Sequence, residues 1–493
     1  MTTSVFATNL LWVLLLANWV IEGQWKEKWE CMKHRPLLHA FLLMAAVHIV
    51  WLLGTENISY GLFDMQKKLP LLAIPLVVLS SKPLQRKELL PVAAAYCLTV
   101  LTMTFVGLGR YLFIPDLPYR NLVPHISHIR FGLNICLTLC IIIQCMFHLR
   151  SWWARLGGIV IVVWLLLFLM MLRAYTSYII LIVTAVVILA AYGRRLPRRM
   201  FRATAATVAL ILLSAAGLTG YYLYDYYHLR PLSTQPLRPC TANGNPYMHR
   251  QDGLIENGNY VHQYVCEPEL RQQWEKVSTY PFDSVTATGY TVYPALLRYL
   301  GAMGLTKDSA GMTHLQPTDI QAIEKGIANP VYLQHGPRKM FYVLFYEFEN
   351  FRCFRNVNNF SLLQRIELWR NAWQVFLSHP LLGVGTGDVV DQCRLRLEAN
   401  QSPLAESGMH THNQYLNFLL AFGLVGFLAI VLTFLLATVR EKLCRNALFT
   451  AFLCILLISC ISEDTLETLA GIVFAALGST LIAPTTQCTN TTP

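Results

Sequence analysis

The chain has 493 residues, of which 55% are hydrophobic and only 14% charged, with a mean hydropathy of +0.43 and a formal net charge of +11. So apolar a composition excludes an ordinary soluble protein, and the apolar residues come in blocks of about 17–25, the length that crosses a ~30 Å hydrocarbon core. The short alternating segments of a membrane barrel are absent, and the positive charge forms no nucleic-acid patch, since residues 222–411 carry 16 Lys and Arg against 17 Asp and Glu.

The expected fold is an all-α polytopic membrane protein of about 11–12 transmembrane helices, with one large, mainly helical domain before the last three spans. Apolar stretches at 5–21, 37–54, 69–81, 89–109, 129–147, 156–173, 175–192 and 203–221 make an N-terminal bundle over residues 1–221. The first of them lacks a basic flank and a small-residue cleavage site, so it reads as a span and not as a signal peptide. Three more stretches, 413–438, 447–462 and 467–484, make a C-terminal group within 412–484, and residues 485–493 are expected to be a disordered tail.

Orientation follows from charge. The loops 23–36, 82–88, 148–155, 193–202 and 439–446 hold 17 Lys and Arg, and all fall on one side if every span crosses. That side is then cytoplasmic. The other side receives the 222–411 segment and short loops holding Lys67, Lys68, Arg110 and Arg120, with Arg130 and Arg173 at span ends. Within 222–411, Asn243-Gly244-Asn245-Pro246 and Asn257-Gly258-Asn259 signal turns, residues 317–327 and 360–379 read as helical, and 240–300 has no assignment. The 13 cysteines include no CxxC pair, which argues against a zinc ribbon or a thioredoxin motif. Four of them, Cys240, Cys266, Cys353 and Cys393, lie in the outer segment, where two disulfides are allowed, with free thiols as the alternative.

Ser361 and Gln364 fit a capping box, and Leu362, Ile366, Trp369, Trp373 and Phe376 then form an apolar stripe with Arg365, Arg370 and Asn371 at its edges. Such a helix either lies at the membrane surface with Arg365 turned toward what the stripe covers, or is an ordinary amphipathic helix with solvated arginines. The run Gly383-Val384-Gly385-Thr386-Gly387-Asp388 lacks the Gly-Lys-Ser/Thr of a phosphate-binding loop, so it reads as a tight turn. His410 and His412 have no third ligand nearby in sequence, too little for a metal site, and none is expected. His412 and Asn413 stand at the mouth of the 413–438 run, where a histidine can act as a base near neutral pH or simply cap the helix. Arg173 interrupts a long apolar run and Arg130 stands at the start of another; a guanidinium there can fork onto a diphosphate or snorkel to the interface. Glu463, Asp464 and Glu467, in the turn between the last two spans, are partners for those arginines or plain loop acids.

Taken together, Arg365-x-x-x-Trp369-x-x-Ala372-Trp373, the HPLLGVGTGD of 379–388 and the THNQYLNFLLAFGLVG of 411–426 resemble the O-antigen ligase and polymerase superfamily. Its members are bacterial inner-membrane enzymes that handle undecaprenyl-diphosphate-linked glycans. The likeness is strong over about 360–484, where 462–479 looks like the family's closing helices, and is one of layout over the first eight spans. It implies that 222–411 is periplasmic and that the donor diphosphate is held by Arg365, Arg173 and Arg130. His412 would be the catalytic base activating an acceptor hydroxyl that attacks the anomeric carbon, with Asn413 and Arg370 in support. Undecaprenyl diphosphate leaves, without metal or cofactor. A ligase onto lipid A-core is the leading expectation; a polymerase or a protein O-oligosaccharyltransferase are the alternatives within the superfamily. A lipid-linked glycan transporter is the alternative from another class, and the gathering of polar clusters at the outer rim speaks against it.

Overall fold

The computed structural model describes residues 5–115, 117–193, 197–286, 289, 291–334, 336–358 and 360–483. Arg194 and Arg195 of the most basic loop, and the tail 485–493, lie outside them. The order is α1 (Val5–Glu22), α2 (Trp25–Lys33), α3 (Pro36–Leu52), α4 (Ile58–Ser80), α5 (Arg86–Phe113), α6 (His128–His148), α7 (Trp152–Met171), α8 (Tyr175–Tyr192) and α9 (Arg198–Tyr227). After α10 (Pro231–Thr234) comes a hairpin of β1 (Ile255–Glu256) and β2 (Asn259–Tyr260). It is followed by α11 (Glu267–Val277), α12 (Val292–Ala302), α13 (Ser309–Met312), α14 (Pro317–Glu324) and α15 (Pro337–Phe354). The chain closes with α16 (Ser361–Ser378), α17 (Val389–Ala399), α18 (Gln414–Arg440), α19 (Ala447–Ser462) and α20 (Leu469–Leu481). The fold is therefore all-α and polytopic, and among the described residues its one sheet is that two-stranded hairpin.

Each of the eleven apolar stretches lies in a helix, but their lengths differ from the expected uniform spans. Among the described residues six helices, α5 to α9 and α18, are long and apolar enough to cross a membrane, and α1 with α2 makes a seventh if that pair, bent by 114°, is one span. Helices α3, α19 and α20 are apolar but shorter. Helix α4 departs most from expectation, because its first half, which reads as a loop carrying Lys67 and Lys68, is helical. Asn57 caps it by accepting the Tyr60 N–H at 3.1 Å. Asp64 then meets Lys68 one turn on at 2.6 Å and Lys67 at 3.8 Å. Charges that pair along one helix face cost far less at an apolar boundary than the same charges alone.

Two compact units are present: residues 1–208 with 365–493, and residues 209–364. In the first, Phe41, Met44 and Val47 of α3 pack with Phe418 and Phe422 of α18 and with Ile472, Val473 and Ala476 of α20. A second cluster joins Val100 of α5, Phe131 and Ile135 of α6, and Leu165 and Phe168 of α7.

The glycine run between α16 and α17 is a turn, as expected, and one that touches other backbone directly. Helix α18 breaks at Gly423 (φ 60°, ψ −167°), and the 380–388 chain fills the gap. Val384 and Gly385 N–H groups donate to the Leu420 and Ala421 carbonyls at 2.8 and 3.0 Å, while Leu424 and Val425 N–H groups return to Pro380 and Leu381 at 2.9 and 3.1 Å. The freed groups of the broken helix are thus paired inside the protein, which hydrocarbon surroundings require. On its far side the run reaches the α3–α4 corner, where the Asp388 carboxylate accepts the N–H groups of Glu56 and Asn57, both at 2.8 Å. A Cβ on Gly385 (φ +101°) would lie 2.5 Å from Thr55 Oγ1, and one on Gly423 would lie 2.2 Å from the Leu381 carbonyl oxygen.

In residues 209–364 the core is Trp274, Leu296, Tyr299, Leu300, Ile323 and Tyr342 with their neighbours. The Asn257-Gly258 signal is the hairpin turn, with both residues at positive φ (48° and 77°) as a two-residue primed turn needs. Gly244 (φ +84°) likewise sits in the predicted Asn243–Pro246 turn, where its N–H donates to the Thr241 carbonyl at 3.1 Å. The unassigned 240–300 region holds this hairpin, α11 and α12. Glu256, fully buried, is matched by Arg298 and accepts from Asn329 and the Tyr342 hydroxyl at 2.7 and 2.9 Å. Cys240, Cys266, Cys353 and Cys393 are all free thiols, so the allowed disulfides are not formed.

Lys307 is fully buried, and among the described residues its ammonium donates only to the Tyr260 carbonyl, at 3.1 Å. Burial pushes its ammonium down to about 7, with neighbouring Asp308 opposing. Between pH 7 and the ordinary lysine range the unfolded chain binds a proton that the folded chain does not, so stability rises with pH across that window, by on the order of 1.4 kcal/mol per pH unit. Below pH 7 the full penalty persists. Lys307→Met is accordingly expected to raise the thermal midpoint at pH 7 and to flatten the rise between pH 7 and 9, read by tryptophan fluorescence melts of the full chain in detergent. Gly385→Ala, which adds both strain and a clash with Thr55 at the α3–α4 corner, is expected to lower the midpoint by several degrees in the same assay.

Candidate functional site

The site grows from the start of α18. Asn413 is its N-cap, its Oδ1 accepting the Tyr415 and Leu416 N–H groups at 3.0 and 3.1 Å. To bring Asn413 there the preceding residue turns back on itself, and His412 takes a left-handed conformation (φ +50°) that costs a non-glycine residue about 1 kcal/mol or more. Asp464 holds it in place. Its Oδ2 accepts the His412 N–H at 3.0 Å and its Oδ1 accepts the Thr411 hydroxyl at 3.1 Å. The same Oδ2 lies 4.0 Å from His412 Nδ1, and the imidazole stays 37% exposed while Asp464 is buried. From the other side Trp369 of α16 donates its indole N–H to the Thr411 carbonyl at 2.9 Å.

Asp464 belongs to an acidic turn, Glu463–Glu467, set between α19 and α20. Gly471 lets it pack so tightly, since a Cβ there would meet the Thr465 carbonyl oxygen at 1.8 Å. Glu463 pairs with Arg365 at 2.7 Å, both largely buried. Arg130, in the first turn of α6, feels the charges of Glu463 and Asp464; its Nη1 donates to Ser127 Oγ at 3.4 Å and its buried Nε has no protein partner among the described residues. Glu467 is met by Lys68 Nζ at 2.9 Å and by the amides of Gln414 and Asn417 at 2.9 and 2.7 Å.

Burial, with the charge of Glu467, pushes the Asp464 carboxyl above the ordinary aspartate range, while His412, His410 and the His412 N–H pull the other way. A buried carboxylate that spends both oxygens on the His412 loop fixes an imidazole beside it and supports the charge that the ring takes on with a proton.

The residues expected from sequence fall into three groups. His412, Asn413 and Arg365 converge directly on the acidic turn or the loop it holds, and Arg130 stands in its field. Arg173 is one ring further off: it has positive φ (51°), is exposed, and stacks over Tyr119 at 5.0 Å. Tyr119 meets His128 edge-on at 5.5 Å, and His128 in turn feels the charge of Arg365. Arg370 points elsewhere, exposed and 3.8 Å from Glu367 on its own helix.

The expected apolar stripe of α16 is rotated. Leu363, Leu368, Ala372 and Val375 are buried with Asn371 and Phe376, whereas Ile366 and Trp373 are exposed. The helix carries two adjacent apolar rows, and the row of smaller side chains packs closer. Sequence reasoning left Glu463 and Asp464 open between arginine partners and plain loop acids; Glu463 does pair with an arginine, Arg365, whereas the contact of Asp464 with the His412 loop was not foreseen. Their signal was three carboxylates within five residues between two apolar helices, a concentration that demands partners. Among the described residues no group of three or more His, Cys, Asp or Glu side chains is arranged to hold a metal ion.

Fold and cluster together define a polytopic helical membrane protein with a histidine, a buried carboxylate and arginines gathered at one turn. Over residues 325–431, about a fifth of the chain, it matches the family model described as O-antigen ligase, which supports the O-antigen ligase and polymerase superfamily and glycosyltransferase activity of that general type. The matched stretch includes Arg365, His412 and Asn413; Arg130, Arg173, Glu463 and Asp464 lie outside it. No curated protein matches the chain.

Removing the Asp464 carboxylate leaves the His412 N–H without its acceptor, at a cost of about 1–3 kcal/mol, while the Thr411 hydroxyl keeps the Asn413 carbonyl at 3.1 Å. Asp464→Ala is expected to lower the thermal midpoint clearly more than Asp464→Asn, which keeps one acceptor oxygen. Equal melts for both variants and the parent would show that the carboxylate does not hold the loop.

Proposed function

We propose that this protein is a glycosyltransferase that moves a glycan from undecaprenyl diphosphate to an acceptor hydroxyl, acting as a surface-polysaccharide ligase onto lipid A-core at the periplasmic face of a bacterial inner membrane. The observation that carries the reading is the acidic turn: it fixes His412 through Asp464, holds Arg365 through Glu463, and lies in reach of Arg130's charge. The 17 Lys and Arg of the basic loops, which share one side if every apolar stretch crosses, support the opposite side for residues 222–411 and for the chemistry.

In this reading His412 takes the proton of the acceptor hydroxyl as its oxygen attacks the anomeric carbon. A new C–O bond forms, the bond from that carbon to the diphosphate oxygen breaks, and undecaprenyl diphosphate leaves with the electron pair. Attack opposite the leaving group inverts the anomeric centre. Arg365 and Arg130, with Arg173 nearer the surface, counter the negative charge that grows on the diphosphate, and preorganised guanidinium groups do so at no cost of reorientation. Glu463 then has a second role, keeping Arg365 paired until the donor's oxygens replace its carboxylate. Asp464 supports the imidazolium. Asn413 contributes by capping α18 and so fixing the backbone next to the base.

The test is transfer by the full chain in lipid nanodiscs, supplied with undecaprenyl-diphosphate-linked glycan and with lipid A-core, a lipid-linked glycan or a hydroxyl-bearing peptide as acceptor. Product on lipid A-core alone is the expected result; product on either other acceptor alone would replace the ligase reading with polymerase or protein glycosylation. His412→Ala should cut the rate by about 10²–10⁴-fold with folding intact, and parental turnover in that variant would remove the base. Arg365→Ala should weaken donor use more than Arg365→Lys, because lysine keeps the charge but loses the fork.

A further inference from the structure

Helices α1 and α2 meet at a corner that the chemistry at the acidic turn leaves unused. The pair is bent by 114° at two consecutive left-handed residues, Gly23 (φ 67°) and Gln24 (φ 55°). Several contacts lock that angle. Lys28, almost fully buried, donates to the Trp19 carbonyl at 2.5 Å, one of the four that a helix C-terminus leaves open, and pairs with Glu22 at 2.9 Å. Its ammonium lies over the Trp19 ring at 4.8 Å and over the Trp25 ring at 5.5 Å. Trp19 meets Trp25 edge-on at 5.1 Å and donates its indole N–H to Ser80 Oγ, past the last turn of α4, at 2.9 Å. All these residues belong to one compact unit.

Two features say what covers α2. The first is the order of its faces. Lys28 and Cys31 are buried against the protein. Next to them round the helix stand Trp25 and Trp29, one turn apart and both more than half exposed. Lys26 and Lys33 follow, and Glu27 lies nearly opposite Trp29 at 100° per residue. Aromatic rings between a packed face and a basic one follow the depth order of a bilayer edge, hydrocarbon first and headgroups after. The second feature is charge. Residues 23–36 hold four Lys and Arg against two Glu. Lys33 shares Glu30 at 2.8 Å, and Lys82 of the next basic loop shares Glu27 at 3.2 Å, exposed pairs that contribute little. Lys26 has no carboxylate partner among the described residues. The Lys82 contact also puts two of the five basic loops side by side, as a common membrane face requires.

We propose that α2 is a surface-lying anchor on the basic-loop side of the membrane, with Trp25 and Trp29 seated among lipid chains and Lys26 and Lys33 on the headgroups of anionic phospholipids. Helix α1 then crosses alone: its 18 residues, at 1.5 Å each, run about 27 Å against a ~30 Å hydrocarbon core. The locked corner turns α2 close to a right angle from that axis, into the plane of the bilayer. The Trp19–Ser80 bond fastens the same corner to the end of α4, so the anchor fixes the depth of two helices at once. None of this needs the glycosyltransferase reading.

The test uses the full chain in nanodiscs of equal parts phosphatidylcholine and phosphatidylglycerol. A photoreactive benzoylphenylalanine, which keeps an aromatic ring, replaces Trp29, Trp25 or Glu27 in turn, and adducts are read by mass spectrometry after illumination. Lipid adducts at the two tryptophan positions are expected to exceed those at Glu27 by about tenfold, with phosphatidylglycerol favoured about 3–10-fold. Lys26→Gln together with Lys33→Gln, in the chain labelled at Trp29, should bring the two lipids to parity while leaving the total yield. Equal lipid adducts at Glu27 and Trp29 would make α2 the tail of a broken span. Adducts at Trp29 to a second copy of the chain would make the row a protein contact, and no adduct at either tryptophan position would leave it facing water. Each of those three results overturns the anchor; parity of the two lipids before the lysines are changed overturns its headgroup preference alone.

Discussion

Three carboxylates in five residues, set between two apolar helices, are the constraint around which the membrane unit is arranged. Each of Glu463, Asp464 and Glu467 would be costly there alone, and each finds a different partner. Glu463 takes Arg365 from α16, Asp464 takes the backbone and imidazole of His412 ahead of α18, and Glu467 takes Lys68 from α4. One turn therefore ties together elements that lie some four hundred residues apart in sequence, and the polar contacts that pay for its burial are the ones that assemble the site.

His412 shows the same economy at the scale of one residue. A left-handed backbone at a bulky side chain is sustained only where its surroundings over-determine it. Here the Asn413 cap, the Trp369 indole on the Thr411 carbonyl and both oxygens of Asp464 act on three consecutive residues. Strain at His412 and rigidity around it are two descriptions of one arrangement, in which the backbone that carries the imidazole is held in place.

Much of this was legible in the sequence. The apolar stretches, the Asn257-Gly258 hairpin turn and the glycine turn at 383–388 follow from local patterns of 2 to 20 residues, about the range over which periodicity and turn chemistry act, whereas the expectation that His412 and Arg365 share a site came from the family resemblance. What was not legible depends on partners distant in sequence. The first half of α4 looked like a loop because Asp64 and Lys68 are read singly as polar, and their pairing with each other and with Glu467 appears only when the helix is built. The buried face of α16 was misjudged because two apolar rows compete, and its neighbours decide which one packs. Asp464 stood open between an arginine partner and a plain loop acid, and its hold on Thr411 and His412 appears only in the fold. The cysteines illustrate the reverse case, a chemically permitted pairing that geometry does not bring about.

The interlocking of the 380–388 chain with the break in α18 has a consequence for biogenesis. Those backbone groups satisfy one another only when both segments and the α3–α4 corner are present together. A ribosome-bound chain that has emitted the first fifteen helices lacks α18 and the acidic turn, so neither the 380–388 crossing nor the His412–Asp464 contact can yet form. Until α18 emerges, the glycine run has no ladder to join, and until the turn after α19 follows, the His412 N–H has no carboxylate to accept it. Truncated or stalled products of this chain thus leave the glycine run and the His412 loop unpartnered, and both are completed in one late step with the final hydrophobic segments.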